Sequence, residues 1–166
     1  MNKRLLKLVI AGALIVPTAS AFAATSATTT FTTSATVVAS CQVAAANLSF
    51  GNVDPLSATA TDATSDITVT CSKGTAYTVG LNAGATTGAT TTTRQMLDSN
   101  SDAMNYGLYT DSAHATNWDD IGGTKTQAGT GTGSAQTLTV YGEVPTGQTA
   151  LPPGAYSDTV TVTVSY

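Results

Sequence analysis

From Tyr156 to Tyr166 the chain alternates apolar and polar side chains. Successive side chains of an extended strand point to opposite sides. Tyr156, Val160, Val162, Val164 and Tyr166 therefore share one face, and Ser157, Thr159, Thr161, Thr163 and Ser165 the other. Asp158 alone interrupts the apolar face. The sequence stops inside this pattern, with no turn or polar tail after it, so the expectation is a strand that needs a neighbour.

Alternation punctuated by Gly, Pro, Asn and Asp predicts further strands near 46–51, 65–72, 75–83, 92–98, 103–110 and 135–144. Asp66 to Cys71 alternates cleanly, as do Tyr77, Val79 and Leu81, and then Met104, Tyr106 and Leu108. Short strands at this spacing predict an all-β, immunoglobulin-type Greek-key sandwich. Residues 24–40 are different, a Thr/Ser/Ala segment whose low complexity reads as a tail. Yet Ala27, Thr29, Phe31, Ala35, Val37 and Ala39 share one parity with Cys41. Two readings stay open here: a tail that becomes a strand on another sheet edge, or an ordinary first strand of its own domain.

Composition strengthens the all-β expectation. Threonine, β-branched and suited to a pleated sheet, accounts for 34 of 166 residues. At the N-terminus, Lys3, Arg4 and Lys7 precede an apolar run, Leu8 to Val16, and an Ala21-Phe22-Ala23 cleavage pattern, which together read as a secretory leader over 1–23. That run is shorter than the roughly 20 residues a membrane span requires. Removal of the leader leaves Lys73, Arg94 and Lys125 against ten acidic residues, 3 − 10 = −7 in formal charge. Such a surface argues against nucleic acid or an anionic membrane as a partner. Cys41 and Cys71, the two cysteines of a chain bound for an oxidising compartment, read as a disulfide.

Candidate chemistry is sparse. Asp98 to Asp102 resembles the opening of a calcium loop, but Ala103 stands where such a loop needs Gly and Tyr109 where it needs Glu, so a turn between strands is expected. Gly129 to Gly133 lacks the helix that a phosphate loop requires and reads as a flexible loop joining two strands, as does Gly122-Gly123. His114 has no spaced nucleophile and reads as a solvated loop residue. Asp119 and Asp120 are adjacent, and adjacent carboxylates do not face each other across a glycoside. Trp118 reads as a core or loop anchor, with sugar stacking as the alternative. No catalytic, cofactor or metal residue is expected.

Read together, Cys41-Gln42-Val43, Leu48 to Gly51, Asp54-Pro55, Ile67 to Cys71, Tyr106 to Tyr109, Trp118, Val140 to Gly142, Val144-Pro145, Gly147-Gln148 and Gly154 to Val160 resemble the spore coat protein U domain family. That family includes the pilins of archaic, Csu-like chaperone/usher pili. The resemblance implies an incomplete immunoglobulin-like sandwich that lacks its last strand over 41–166, preceded by a donor-strand extension over 24–40. It also implies an acceptor groove beside Tyr156, Val160, Val162, Val164 and Tyr166, filled first by a periplasmic chaperone. At an outer-membrane usher, the Ala27 to Ala39 segment of the next identical or related pilin would then replace the chaperone. The implied function is a structural pilus subunit at the cell surface, serving adhesion and biofilm formation, and not an enzyme. The alternatives are a secreted coat protein and a carbohydrate-binding module built on Trp118.

Overall fold

The computed structural model describes residues 23–166, so the leader reading, apart from Ala23, lies outside the described residues. Two units are distinguished, one ending at Thr36 and the other spanning Val37–Tyr166. Residues 23–40 carry neither helix nor strand and are exposed throughout. The reading of 24–40 as an ordinary first strand is therefore not realised.

The second unit holds eight strands: β1 (Cys41–Ala45), β2 (Thr61–Cys71), β3 (Ala76–Leu81), β4 (Arg94–Leu97), β5 (Ala103–Tyr109), β6 (Gln127–Thr130), β7 (Gln136–Val144) and β8 (Val162–Ser165). They form a five-stranded sheet in the order β1-β2-β7-β5-β4 and a three-stranded sheet in the order β6-β3-β8, with every pairing antiparallel. Among the described residues no helix is long and apolar enough to cross a membrane.

The alternation read from the sequence becomes the inner face of each sheet. Ile67, Val69 and Cys71 of β2, Tyr77, Val79 and Leu81 of β3, Met104, Tyr106 and Leu108 of β5, and Val140 and Val144 of β7 are buried in one core. Burying side chains of this size stabilises by about 1.5 to 3 kcal/mol each. Trp118 is fully buried among them. Its backbone N–H donates to Leu108 O at 2.8 Å and its indole Nε1–H to Val79 O at 2.9 Å, so one residue joins the two sheets.

Cys41 and Cys71 form a disulfide and are directly paired in the β1–β2 register. Just outside them, Ser72 N–H donates to Ser40 O at 2.9 Å and Ser40 N–H to Ser72 Oγ at 3.1 Å, extending the ladder by one residue.

Three strand assignments differ from the sequence reading. The strand expected at 46–51 is absent, and β1 lies at Cys41–Ala45 instead. Leu48 and Phe50 do turn inward, packing over Gly142 where a Cβ would stand about 3 Å from both. Their alternation reports burial without a ladder partner. Second, β6 includes Gly129 and Thr130, so the stretch expected as a loop begins as a strand; the Gly129 position lies against the Tyr77 ring, leaving no room for a side chain. Third, the expected strand 156–166 contracts to Val162–Ser165, preceded by an isolated bridge between Ser157 and Leu97.

Candidate functional site: an open groove beside an unpaired strand

Among the described residues β8 pairs with β3 alone and β1 with β2 alone, so both are edge strands. An apolar groove of about 920 Å³ opens beside them. Its floor is the core itself, with Ile67, Leu81, Met104, Leu108 and Val140 contributing. One wall runs from Ala45, the last residue of β1, to Gly51, and the other from Leu151 to Val160 and on to Val162. Phe50 meets Tyr106 edge to face, with ring centroids 6.1 Å apart.

Val162 pairs with Leu81 and Val164 with Val79, which turns both valines onto the core. Tyr156 and Val160 are partly buried against the same core. Of the five residues expected on this face, Tyr156, Val160 and Val162 line the groove. Val164 packs against the core beyond it, and Tyr166, 61% exposed, lies outside β8. Of the donor-segment residues, Ala27, Thr29, Phe31, Ala35, Val37 and Ala39 are exposed, Phe31 by 88% and Val37 by 91%.

Asp158, the interruption in the apolar face, has a specific role. The Tyr106 hydroxyl donates to its Oδ2 at 2.6 Å, and the N–H of Ala85 to its Oδ1 at 2.8 Å. Gly84, at φ +91°, leaves the space the carboxylate occupies. Burial, and then the bond to Asp158, push the Tyr106 hydroxyl pKa above its ordinary value. The β3–β8 register, continued past Leu81, sets Asp158 opposite Ala85, and there the connection is made by the Asp158 carboxylate in place of a backbone ladder. Between them, Asn82 bridges the gap: its Oδ1 accepts from Thr161 N–H at 2.8 Å and its N–H donates to Thr161 O at 3.1 Å.

The site is therefore a row of unpaired backbone groups next to an apolar trough. Exposed together, they are a template for another strand. Leu48, Phe50 and Leu151 belong to the trough and were not singled out as site residues from the sequence; the alternation that sets Leu48 and Phe50 on one face was the signal available for two of them.

The remaining candidates resolve into structure. Asp98 closes the β4–β5 turn by accepting from the N–H groups of Asn100 and Asp102, both at 2.8 Å, as the turn reading expected. Asp119 accepts from Thr91 Oγ1 and Lys125 N–H, and Asp120 from Ile121 N–H. Trp118, with no exposed surface, offers no face to a sugar. His114 corrects its reading as a solvated residue: it packs on Tyr109 with centroids 5.0 Å apart, and its Nδ1 lies 3.1 Å from Glu143 Oε2.

No curated protein matches the chain by sequence. The fold is similar to a solved structure of the CsuC–CsuE chaperone–tip adhesion subunit pre-assembly complex from archaic chaperone-usher Csu pili of Acinetobacter baumannii, with a TM-score of 0.60 and 21% identity. The similarity covers 79% of this chain and 41% of that one, so the chain spans well under half the length of its structural relative. The Spore Coat Protein U domain matches residues 27–163, most of the chain, and the chain therefore belongs to the Spore Coat Protein U domain family.

Proposed function

We propose that this chain is a structural subunit of an archaic chaperone–usher pilus that polymerises by donor-strand exchange, and that it has no enzymatic role. The observation that carries this reading is the open apolar groove beside the unpaired edge of β8. A strand laid there satisfies the backbone of β8 and covers the trough in one step. The structural relative, a subunit caught in complex with its chaperone, supports a periplasmic chaperone as the first occupant. An outer-membrane usher then exchanges it for the 24–40 segment of the next subunit. The fibre so built stands on the cell surface, where it serves adhesion and biofilm formation.

Residues 24–40 suit the donor role, since Ala27, Thr29, Phe31, Ala35, Val37 and Ala39 present one face once extended. Burial of Phe31 and Val37 contributes about 1.5 to 3 kcal/mol each before ladder hydrogen bonds form. Tyr156, Val160, Val162, Val164 and Tyr166 form the receiving strand.

Deletion of 24–40 tests this directly. The expected outcome is an exported subunit that is recovered with its chaperone and forms no fibres under electron microscopy. Fibres of normal length from the deletion variant would overturn the reading and favour a coat protein assembled through another surface.

A further inference from the structure

A second cluster of chemistry lies on the opposite face of the five-stranded sheet and is independent of the assembly reading. Asp62 of β2 and Glu143 of β7 stand directly opposite each other in the register. Glu143 has the parity opposite to the core-facing Val144 of its strand, and Asp62 that opposite to the core-facing Ile67 and Val69 of its own. Like charges facing each other across an antiparallel pair are destabilising unless a cation or donor lies between them.

The loop after β5 places an imidazole there. Asp111 carboxylate oxygens accept from the N–H groups of Ala113 and Ala115 at 3.1 Å and of Thr116 at 2.9 Å. The Asp111 carbonyl accepts from His114 N–H at 3.1 Å. This turn holds His114 at φ 53°, a left-handed conformation that few non-glycine residues adopt. The ring is backed by Tyr109, and its Nδ1 lies 3.1 Å from Glu143 Oε2. Ligand atoms of Asp62, His114 and Glu143 all fall within 4.8 Å of one another.

We propose that Asp62, His114 and Glu143 form a surface binding site for a divalent transition-metal cation of the zinc class. One imidazole nitrogen with two carboxylate oxygens is a mixed donor set that suits zinc and its neighbours; calcium and magnesium take oxygen ligands alone. Tetrahedral bonds of about 2.0 to 2.1 Å to zinc place adjacent ligand atoms about 3.3 to 3.4 Å apart, a little wider than the observed 3.1 Å between His114 and Glu143, so a small side-chain adjustment admits the ion. Asp62, on the exposed rim, completes the set by a side-chain rotation. Three protein ligands leave a further position for water or for a donor from another molecule. Uptake takes the Nδ1 lone pair, so any proton shared between His114 and Glu143 is released to solvent.

Titration of the purified full chain with zinc chloride in a calorimeter tests this. The expected result is one saturable equivalent, accompanied by a shift of the His114 imidazole ¹⁵N resonances that calcium chloride does not produce. H114N, which tolerates the left-handed backbone, and E143Q each weaken binding by at least about tenfold, since loss of a ligand costs no less than loss of an outer partner. D62N, at an exposed position, keeps the test open should either of those variants misfold, and weakens binding about tenfold. Absence of saturable zinc uptake, equal competition by calcium, or unchanged affinity in folded H114N would each overturn the proposal and leave an ion pair only.

Discussion

Arg94 is the residue on which the interior turns. It opens β4, has no exposed surface, and spends its guanidinium on backbone carbonyls: Nε on Asn82 at 2.9 Å, one terminal nitrogen on Thr91 at 2.7 Å, and the other on Leu81 and Trp118 at 2.8 Å each. A planar fork with five donors is the one side chain that reaches so many acceptors at once. Burial pulls its pKa below the ordinary arginine value, while Tyr106, Asp119, Asp158 and Asp120 oppose that shift. R94M would leave four carbonyl oxygens without these donors and should cost about 3 kcal/mol or more, read as a lower denaturant midpoint. R94K, with a single point of donation, should recover only part of the loss. Nothing in the local pattern marks Arg94, because the partners that define it lie as far as 24 residues away. Trp118, by contrast, was legible as an anchor from its size and apolarity.

At the level of the strand, legibility follows contrast. The strands β2, β3, β5 and β7 alternate large apolar with polar residues, and the structure places them within a few residues of their expected limits. Edge strands β1 and β6 were missed because Cys41–Ala45 and Gln127–Thr130 are built from small and polar residues, and their existence depends on ladder bonds to distant partners. The opposite error at 46–51 has the same root: inward packing is written in the sequence, while hydrogen bonding to a neighbour is not. The disulfide compensates for β1's weak pattern. Closing a loop of 30 residues stabilises by about 3 to 4 kcal/mol. The double variant C41A/C71A should lose about that much and, by amide exchange, show the loss of protection concentrated in β1. Uniform loss across all strands would contradict this assignment.

Taken whole, the molecule is two sheets tied at Trp118 and again where Tyr106 of β5 bonds Asp158 ahead of β8. The second tie sets a pH limit. Because the folded pKa of Tyr106 lies above its unfolded value of 10.0, its contribution is fully present below pH 10 and is lost as pH rises beyond it. Y106F should flatten that part of the alkaline decline in unfolding free energy; an unchanged slope would assign the decline to other tyrosines. Half of the groove was legible, since the face of Val160 and Val162 is written in the alternation. The other half, built from Leu48, Phe50 and Leu151, exists only after residues more than a hundred positions apart converge. The cross-link at the first rung of β1 carries a mechanical implication. If residues 24–40 of one subunit are seated in another, tension along the fibre enters the domain at Cys41, the very end from which β1 could be peeled away. A covalent bond at that point hands the load to β2, which is clamped by strands on both sides. Rupture under force then belongs to the seat between subunits, which can be refilled, and not to the subunit itself.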